Sequence, residues 1–133
     1  MNKKGFTLVE MLATVTLLGV LVSLAVVSYT RYVKSTRQAV YNDYEETLKA
    51  ASTNYFLNNT GMLPKKGSET KVLATTLLNQ NYLEDLKDPG NKNLTCNSNS
   101  YVIVTRKDDV GFNMDLEYQV CLVCSKYKSS SCK

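Results

Sequence analysis

Hydrophobic and polar positions divide the chain into three stretches. From Phe6 to Val27, 16 of 22 residues are apolar, and Glu10 is the one charged residue among them. At helical rise such a stretch covers roughly 33 Å, enough to cross the hydrocarbon core of a bilayer. Beyond it, Val33, Val40, Tyr44, Leu48, Ala51 and Tyr55 recur at steps of 7, 4, 4, 3 and 4, the period of a helix with one apolar face. No Pro or Gly occurs from Val20 to Thr60, so both stretches read as one helix of about fifty residues. It ends before Asn58-Asn59-Thr60-Gly61, and its outer half needs a partner for its stripe.

The third stretch supplies that partner. Between Ser68 and Leu86, helical spacing of Leu73, Leu77, Leu78 and Tyr82 predicts a short second helix, closed by Asp88-Pro89-Gly90. Tyr101–Thr105 and Leu116–Val123 are β-rich runs flanking the polar turn stretch Lys107–Asn113, which predicts a hairpin. Asn91–Ser100 and Ser129–Ser131 read as loop. The fold class expected is α+β: one long N-terminal helix, membrane-spanning and then amphipathic, packed against a small head with a short helix and an antiparallel β-hairpin. The chain shows no internal repeat.

Composition removes most chemistry. Histidine is absent, which excludes His-based acid–base catalysis, Ser–His and Cys–His nucleophiles and His-containing metal sites. The net charge of +4 is too mild to indicate a nucleic-acid partner. Nine tyrosines offer rings for stacking on bases, but Tyr44 and Tyr55 fall on the helical stripe and Tyr101 and Tyr118 in strands, where packing accounts for them. The acidic neighbours Glu45-Glu46, Glu84-Asp85 and Asp108-Asp109 read as solvated faces or turns. No catalytic residue, metal site or cofactor is expected, and the chain is not read as an enzyme.

Four cysteines, Cys96, Cys121, Cys124 and Cys132, lie in the last 38 residues. Zinc would use the Cys121-x-x-Cys124 spacing, but a second close pair is missing, and disulfides formed outside the cytoplasm are the better reading. Charge leaves orientation undecided, with Lys3 and Lys4 before the apolar stretch and Arg31, Lys34 and Arg37 after it. The cysteines therefore place the C-terminal part outside. A cleaved signal ending at Ser23-Leu24-Ala25 is the rival, but apolar residues continue through Val26 and Val27. In an extended strand Cys121 and Cys124 point to opposite faces and do not bond each other. A hairpin centred between Val110 and Gly111 sets Tyr101 opposite Val120 and, extended, Cys96 beside Ser125. This predicts Cys96–Cys124 and Cys121–Cys132; Cys96–Cys121 is the alternative if the loop before Tyr101 leaves the ladder.

The segment Lys3-Lys4-Gly5-Phe6-Thr7-Leu8-Val9-Glu10-Met11-Leu12 resembles the N-terminus of type IV prepilins and of the pseudopilins of type II secretion and competence systems. The shared pattern is a short basic leader, a Gly, a Phe and a Glu five residues into the mature chain, with Gly19 as a further match. The resemblance covers roughly the first thirty residues. It implies that prepilin peptidase cuts after Gly5 and methylates the Phe6 amine. Residues 1–5 are then the leader, 6–28 the transmembrane and assembly half of the helix, 29–58 its amphipathic half, and 59–133 a disulfide-containing extracytoplasmic head.

Glu10 is costly in lipid, by about 2.5–3.5 kcal/mol at mid-membrane and less near an edge. The resemblance assigns it a partner, the Phe6 amine of a neighbouring subunit; otherwise it sits in the first helical turns, favoured by the helix dipole. Val27 departs from the pattern, because many members carry a proline there. The function implied is that of a structural subunit assembling through its helix into a filament for secretion, DNA uptake, adhesion or motility. Partners are prepilin peptidase, copies of itself and other pilins, the membrane before assembly, and nucleic acid only in a competence pilus. The chain would be a single-pass cell-membrane protein with its head outside, then part of a surface filament or pseudopilus. The alternative is a membrane-tethered extracellular binding module that does not polymerise.

Overall fold

A computed structural model describes residues 4–108, 111 and 113–133, so Lys3 and part of the predicted turn (Asp109, Val110, Phe112) lie outside the described residues. The chain forms two compact units, up to Thr36 and from Arg37 to Lys133. The first helix, α1, runs Leu8–Asn58, 51 residues, as the absence of Pro and the periodic apolar stripe predict. It stops where Asn59 donates backbone and side-chain N–H to the Tyr55 carbonyl, both at 2.9 Å, and the chain tightens into a single turn at Thr60–Met62.

From Arg37 onward, α1 presents Tyr41, Leu48, Ala51, Ser52, Tyr55 and Phe56 to the head, all buried. The stripe is wider than the sequence reading, which lacked Tyr41, Ser52 and Phe56; Val40 and Tyr44 lie at its half-buried margin. Against it sits a three-stranded antiparallel sheet in the order β1-β2-β3: β1 Glu69–Leu73, β2 Tyr101–Arg106 and β3 Leu116–Cys121. Val72, Val102, Val104 and Leu122 join Leu48 and Phe56 in the core.

Two expectations need correction. The second helix, α2, is only Ala74–Asn79, and the start of its predicted range is β1. Thr70 and Val72 alternate towards the core, a strand period with β-branched residues, whereas Leu73 is 46% exposed and was no helical anchor. The head therefore carries a third strand beside the hairpin. The helix ends when Asn81 takes a left-handed conformation, φ 61°, which Asn tolerates better than most residues.

The hairpin register is also one residue from the expected one. Tyr101 pairs with Cys121 and Val102 with Val120, symmetric about Gly111 rather than about the Val110–Gly111 bond. Gly111 itself has φ 66°, a conformation side chains disfavour. The disulfides are nonetheless Cys96–Cys124 and Cys121–Cys132. The ladder does not align Cys96 with Cys124; Ser100 does. Its buried hydroxyl donates to the Cys96 carbonyl and accepts the Val123 N–H at 2.9 Å, which folds the Cys96 loop back onto the end of β3. Cys121 lies on the opposite sheet face, with Tyr101 and Ile103, where Cys132 reaches it.

Leu48 is wholly buried and Leu57 is 69% exposed on the same helix. Leu48→Ala should lower the unfolding free energy by about 2–5 kcal/mol, and Leu57→Ala by under about 0.5 kcal/mol. Urea unfolding followed by tyrosine fluorescence reads the contrast, and equal losses would contradict this packing.

Candidate functional site

Two regions hold polar groups in defined geometry. The first is the start of α1. Lys4 to Thr7 precede the helix, exposed and without regular structure, and Phe6 is 80% exposed. A Cβ on Gly5 would meet nothing within 4 Å, so nothing in the chain's own fold requires glycine there.

Thr7 and Glu10 form a reciprocal cap. Glu10 Oε2 accepts the Thr7 backbone N–H at 3.0 Å and its hydroxyl at 3.2 Å, while the Glu10 N–H donates to Thr7 Oγ1 at 3.3 Å. This capping box satisfies donors that the first turn leaves open. The reading of the sequence missed it, although Thr7-x-x-Glu10 before an apolar run was the available signal. Both contacts to the carboxylate fall on Oε2; Oε1 has no partner among the described residues.

The apolar half repeats the theme of internal satisfaction. Thr14, Thr16, Ser23 and Ser28 each donate their hydroxyl to a carbonyl three or four residues back, at 2.8–3.1 Å. With Thr7 and Glu10, every polar side chain from Phe6 to Ser28 is bonded within the helix. The large apolar side chains of the same stretch remain 52–83% exposed. A helix whose polar groups turn inward and whose apolar groups face out suits a medium without water. By length and composition α1 can cross a membrane.

The second region ties the C-terminal segment to α1. Glu45 is half-buried and accepts the Tyr127 hydroxyl at 2.8 Å and the Ser129 hydroxyl, so it is not simply a solvated acid. Burial and the Glu45 carboxylate push the Tyr127 phenol above its ordinary pKa. The Tyr127 ring stacks on Tyr41 with centroids 4.3 Å apart.

Asp88 is 2% exposed, and the sequence suggested only a turn residue there. It accepts N–H groups from Gly90 and Ser125, both at 2.7 Å. Burial alone would raise its pKa; hydrogen bonds from the Ser125 side chain and from backbone N–H groups outweigh that and hold it below the ordinary value. Tyr41 is raised by burial and by the Asp88 charge. Gly90 sits in a crowded spot: a Cβ would lie 3.2 Å from Asp88 Oδ1 and 3.3 Å from the Tyr41 hydroxyl, so a larger residue would press on both.

Asp88, Cys96 and Cys124 lie close enough to suggest metal ligation, but the two sulfurs are bonded to each other and offer no thiolate. Of the acidic neighbours, Glu46, Glu84 and Asp108 are exposed, Asp85 accepts from the Asn97 amide, and Asp109 lies outside the described residues. The tyrosines split: Tyr41, Tyr55 and Tyr101 are buried, while Tyr29 and Tyr32 are about 70% exposed on α1.

A long N-terminal helix, apolar in its first half and packed in its second against a small disulfide-bonded α+β head, is a pilin-like architecture. Residues 1–26 match the family model of the prokaryotic N-terminal methylation motif, which bears out the resemblance to type IV prepilins. Over 85 residues, 64% of this chain, it is 28% identical to the type IV major pilin protein PilE of Neisseria gonorrhoeae and covers 50% of that protein. A fimbrial protein of Neisseria meningitidis matches at 27% over 85 residues, again 64% of this chain and 49% of the relative. The chain thus spans about half the length of the curated relatives it matches. Their names are those of structural proteins rather than enzymes. No solved structure matches the chain.

Asp88 generates a pH prediction. Its folded pKa lies below the ordinary 3.8, so its stabilisation is full above about pH 4 and lost as pH falls through the lowered value. Asp88→Asn should cost about 1–3 kcal/mol at pH 7 and flatten the acid limb of the stability curve. Urea melts at pH 7 and pH 3 compare the two proteins, and parallel curves would refute the assignment.

Proposed function

We propose that this chain is a filament subunit of the type IV pilin class, made as a prepilin and assembled through its N-terminal helix. Prepilin peptidase removes residues 1–5 by cutting after Gly5 and methylates the amine of Phe6. Residues 6–28 anchor the subunit in the cell membrane and then pack with copies of itself; residues 29–58 carry the head, residues 59–133, outside the cytoplasm. The observation that carries this reading is the apolar half of α1. Its large apolar side chains are exposed along its length, and its polar groups are bonded internally. Secretion, DNA uptake, adhesion and motility are uses of one such filament, in a pilus or a pseudopilus.

Glu10 has two roles in this account. Through Oε2 it caps its own helix, and through Oε1 it receives the Phe6 amine of a neighbouring copy. A paired charge in an apolar filament core is tolerable where an unpaired one is not, so the pair sets register between copies more than it adds stability. The exposed, irregular backbone of Lys4–Thr7 suits protease access, and the open space around Gly5 puts the demand for glycine on the peptidase.

Substitutions separate these roles. Glu10→Gln keeps an oxygen for the cap but no charge, so it should insert and be processed normally yet be depleted from sheared filaments. Glu10→Ala loses the cap as well, about 1 kcal/mol of helix-start stability. Gly5→Leu should leave the unprocessed precursor in the membrane. Immunoblots of membrane and sheared fractions check all three, and normal filament incorporation of Glu10→Gln would count against the charge pair.

A further inference from the structure

The polar side chains of α1 change character at Tyr29. Up to Ser28 each one is bonded within the helix, Ser28 itself to the Leu24 carbonyl at 3.1 Å. Tyr29, Arg31, Tyr32 and Lys34 are exposed instead, and their polar tips make no hydrogen bond or ion pair among the described residues. No acid occurs between Glu10 and Asp43, so the two cations have no neighbour of opposite sign along this part of the helix.

Two lengths fit a bilayer. Tyr29 follows Glu10 by 19 residues, roughly 28 Å at helical rise, which matches a hydrocarbon core of about 30 Å. From Tyr29 to Lys34 is about 7.5 Å, the depth of one headgroup layer. At about 100° per residue, Tyr29 and Tyr32 share one side of the helix and Arg31 and Lys34 the opposite one. The four residues therefore ring α1 at one level. Tyrosine seats its ring where hydrocarbon meets headgroups, and a long cationic side chain reaches the phosphates beyond. Cations beside a span usually stay on the cytoplasmic side. In the reading above Arg31 and Lys34 lie on the head's side instead, and an opposite charge facing them offsets that bias.

We infer that Tyr29, Arg31, Tyr32 and Lys34 form a collar that binds anionic phospholipid headgroups of the leaflet on the head's side. The cations select the lipid class through its negative charge, and the rings fix the depth of the helix. At that depth the Thr7–Glu10 cap lies at the opposite edge of the hydrocarbon, where a carboxylate costs less than at mid-membrane. The Gly5–Phe6 bond then falls just beyond that edge. The inference rests on the membrane-anchored stage of the filament reading and adds to it a lipid partner and a fixed depth.

The test uses the full chain in phosphatidylcholine vesicles that carry a trace of lipid with a photoreactive headgroup, either phosphatidylglycerol or phosphatidylcholine. Peptide mapping locates the adducts. They are expected at residues 29–34 and before Glu10, with none from 14 to 24. Phosphatidylglycerol should label 29–34 about tenfold more than phosphatidylcholine does. Arg31→Gln combined with Lys34→Gln should abolish that preference while phosphatidylcholine labelling persists, the sign that the variant still inserts. Tyr29→Ala combined with Tyr32→Ala should keep the preference and spread the labelled window beyond 29–34. Equal labelling by the two lipids, or a preference that survives loss of both cations, overturns the lipid partner and leaves the filament reading standing. A window unchanged without the tyrosines overturns the collar as the gauge of depth. A chain that takes no label from either lipid overturns the membrane-anchored reading itself.

Discussion

Between Phe6 and Val27 fourteen large apolar side chains are each more than half exposed, and water is the solvent in which that arrangement costs most. Fully burying one such side chain is worth about 1.5–3 kcal/mol. Summed along the helix, that exceeds the 5–15 kcal/mol by which a whole domain is usually stable. The core of the Arg37–Lys133 unit is filled by α1 from Tyr41 onward, the sheet and α2. In the proposed filament reading, lipid or other protein covers the N-terminal half. Its hydroxyls, bonded to carbonyls one turn back, and its carboxylate, bonded at the cap, are what either surrounding demands.

The head meets a different problem, that of a small unit with a three-stranded sheet and a modest core. Its C-terminal segment is held by many kinds of bond at once. The Cys96–Cys124 disulfide, the Tyr41–Tyr127 stack, the Glu45 carboxylate and the buried Asp88 fasten this segment to the helix or to the loop after α2, and the Cys121–Cys132 disulfide closes it on itself. Each polar anchor is satisfied, which is the condition under which buried charge is tolerated.

How much of this was legible beforehand follows the physics of each signal. The long helix was visible because an apolar run long enough to span a bilayer passes into a 3.6-residue period with no Pro to interrupt it. The disulfide partners emerged from strand phase, although the register was off by one; Ser100, whose bridging role depends on tertiary contacts, brought Cys96 to Cys124. The strand at Glu69–Leu73 was hidden because a five-residue edge strand with one buried residue has little periodicity to detect. Asp88 and Glu45 were invisible as anchors, since a turn acid and a helix acid look the same whether solvated or buried. The Thr7–Glu10 cap was readable from its spacing and was overlooked beside the membrane question.

The central claim is that the apolar helix of the mature chain begins at Phe6 and passes from membrane into filament without being cut away. Mass spectrometry of the N-terminus of subunits sheared from the cell surface tests it most directly. The account predicts an N-methylated phenylalanine at Phe6 followed by Thr7 and Leu8. A chain that retains Met1, or one that begins at Val26, would contradict it.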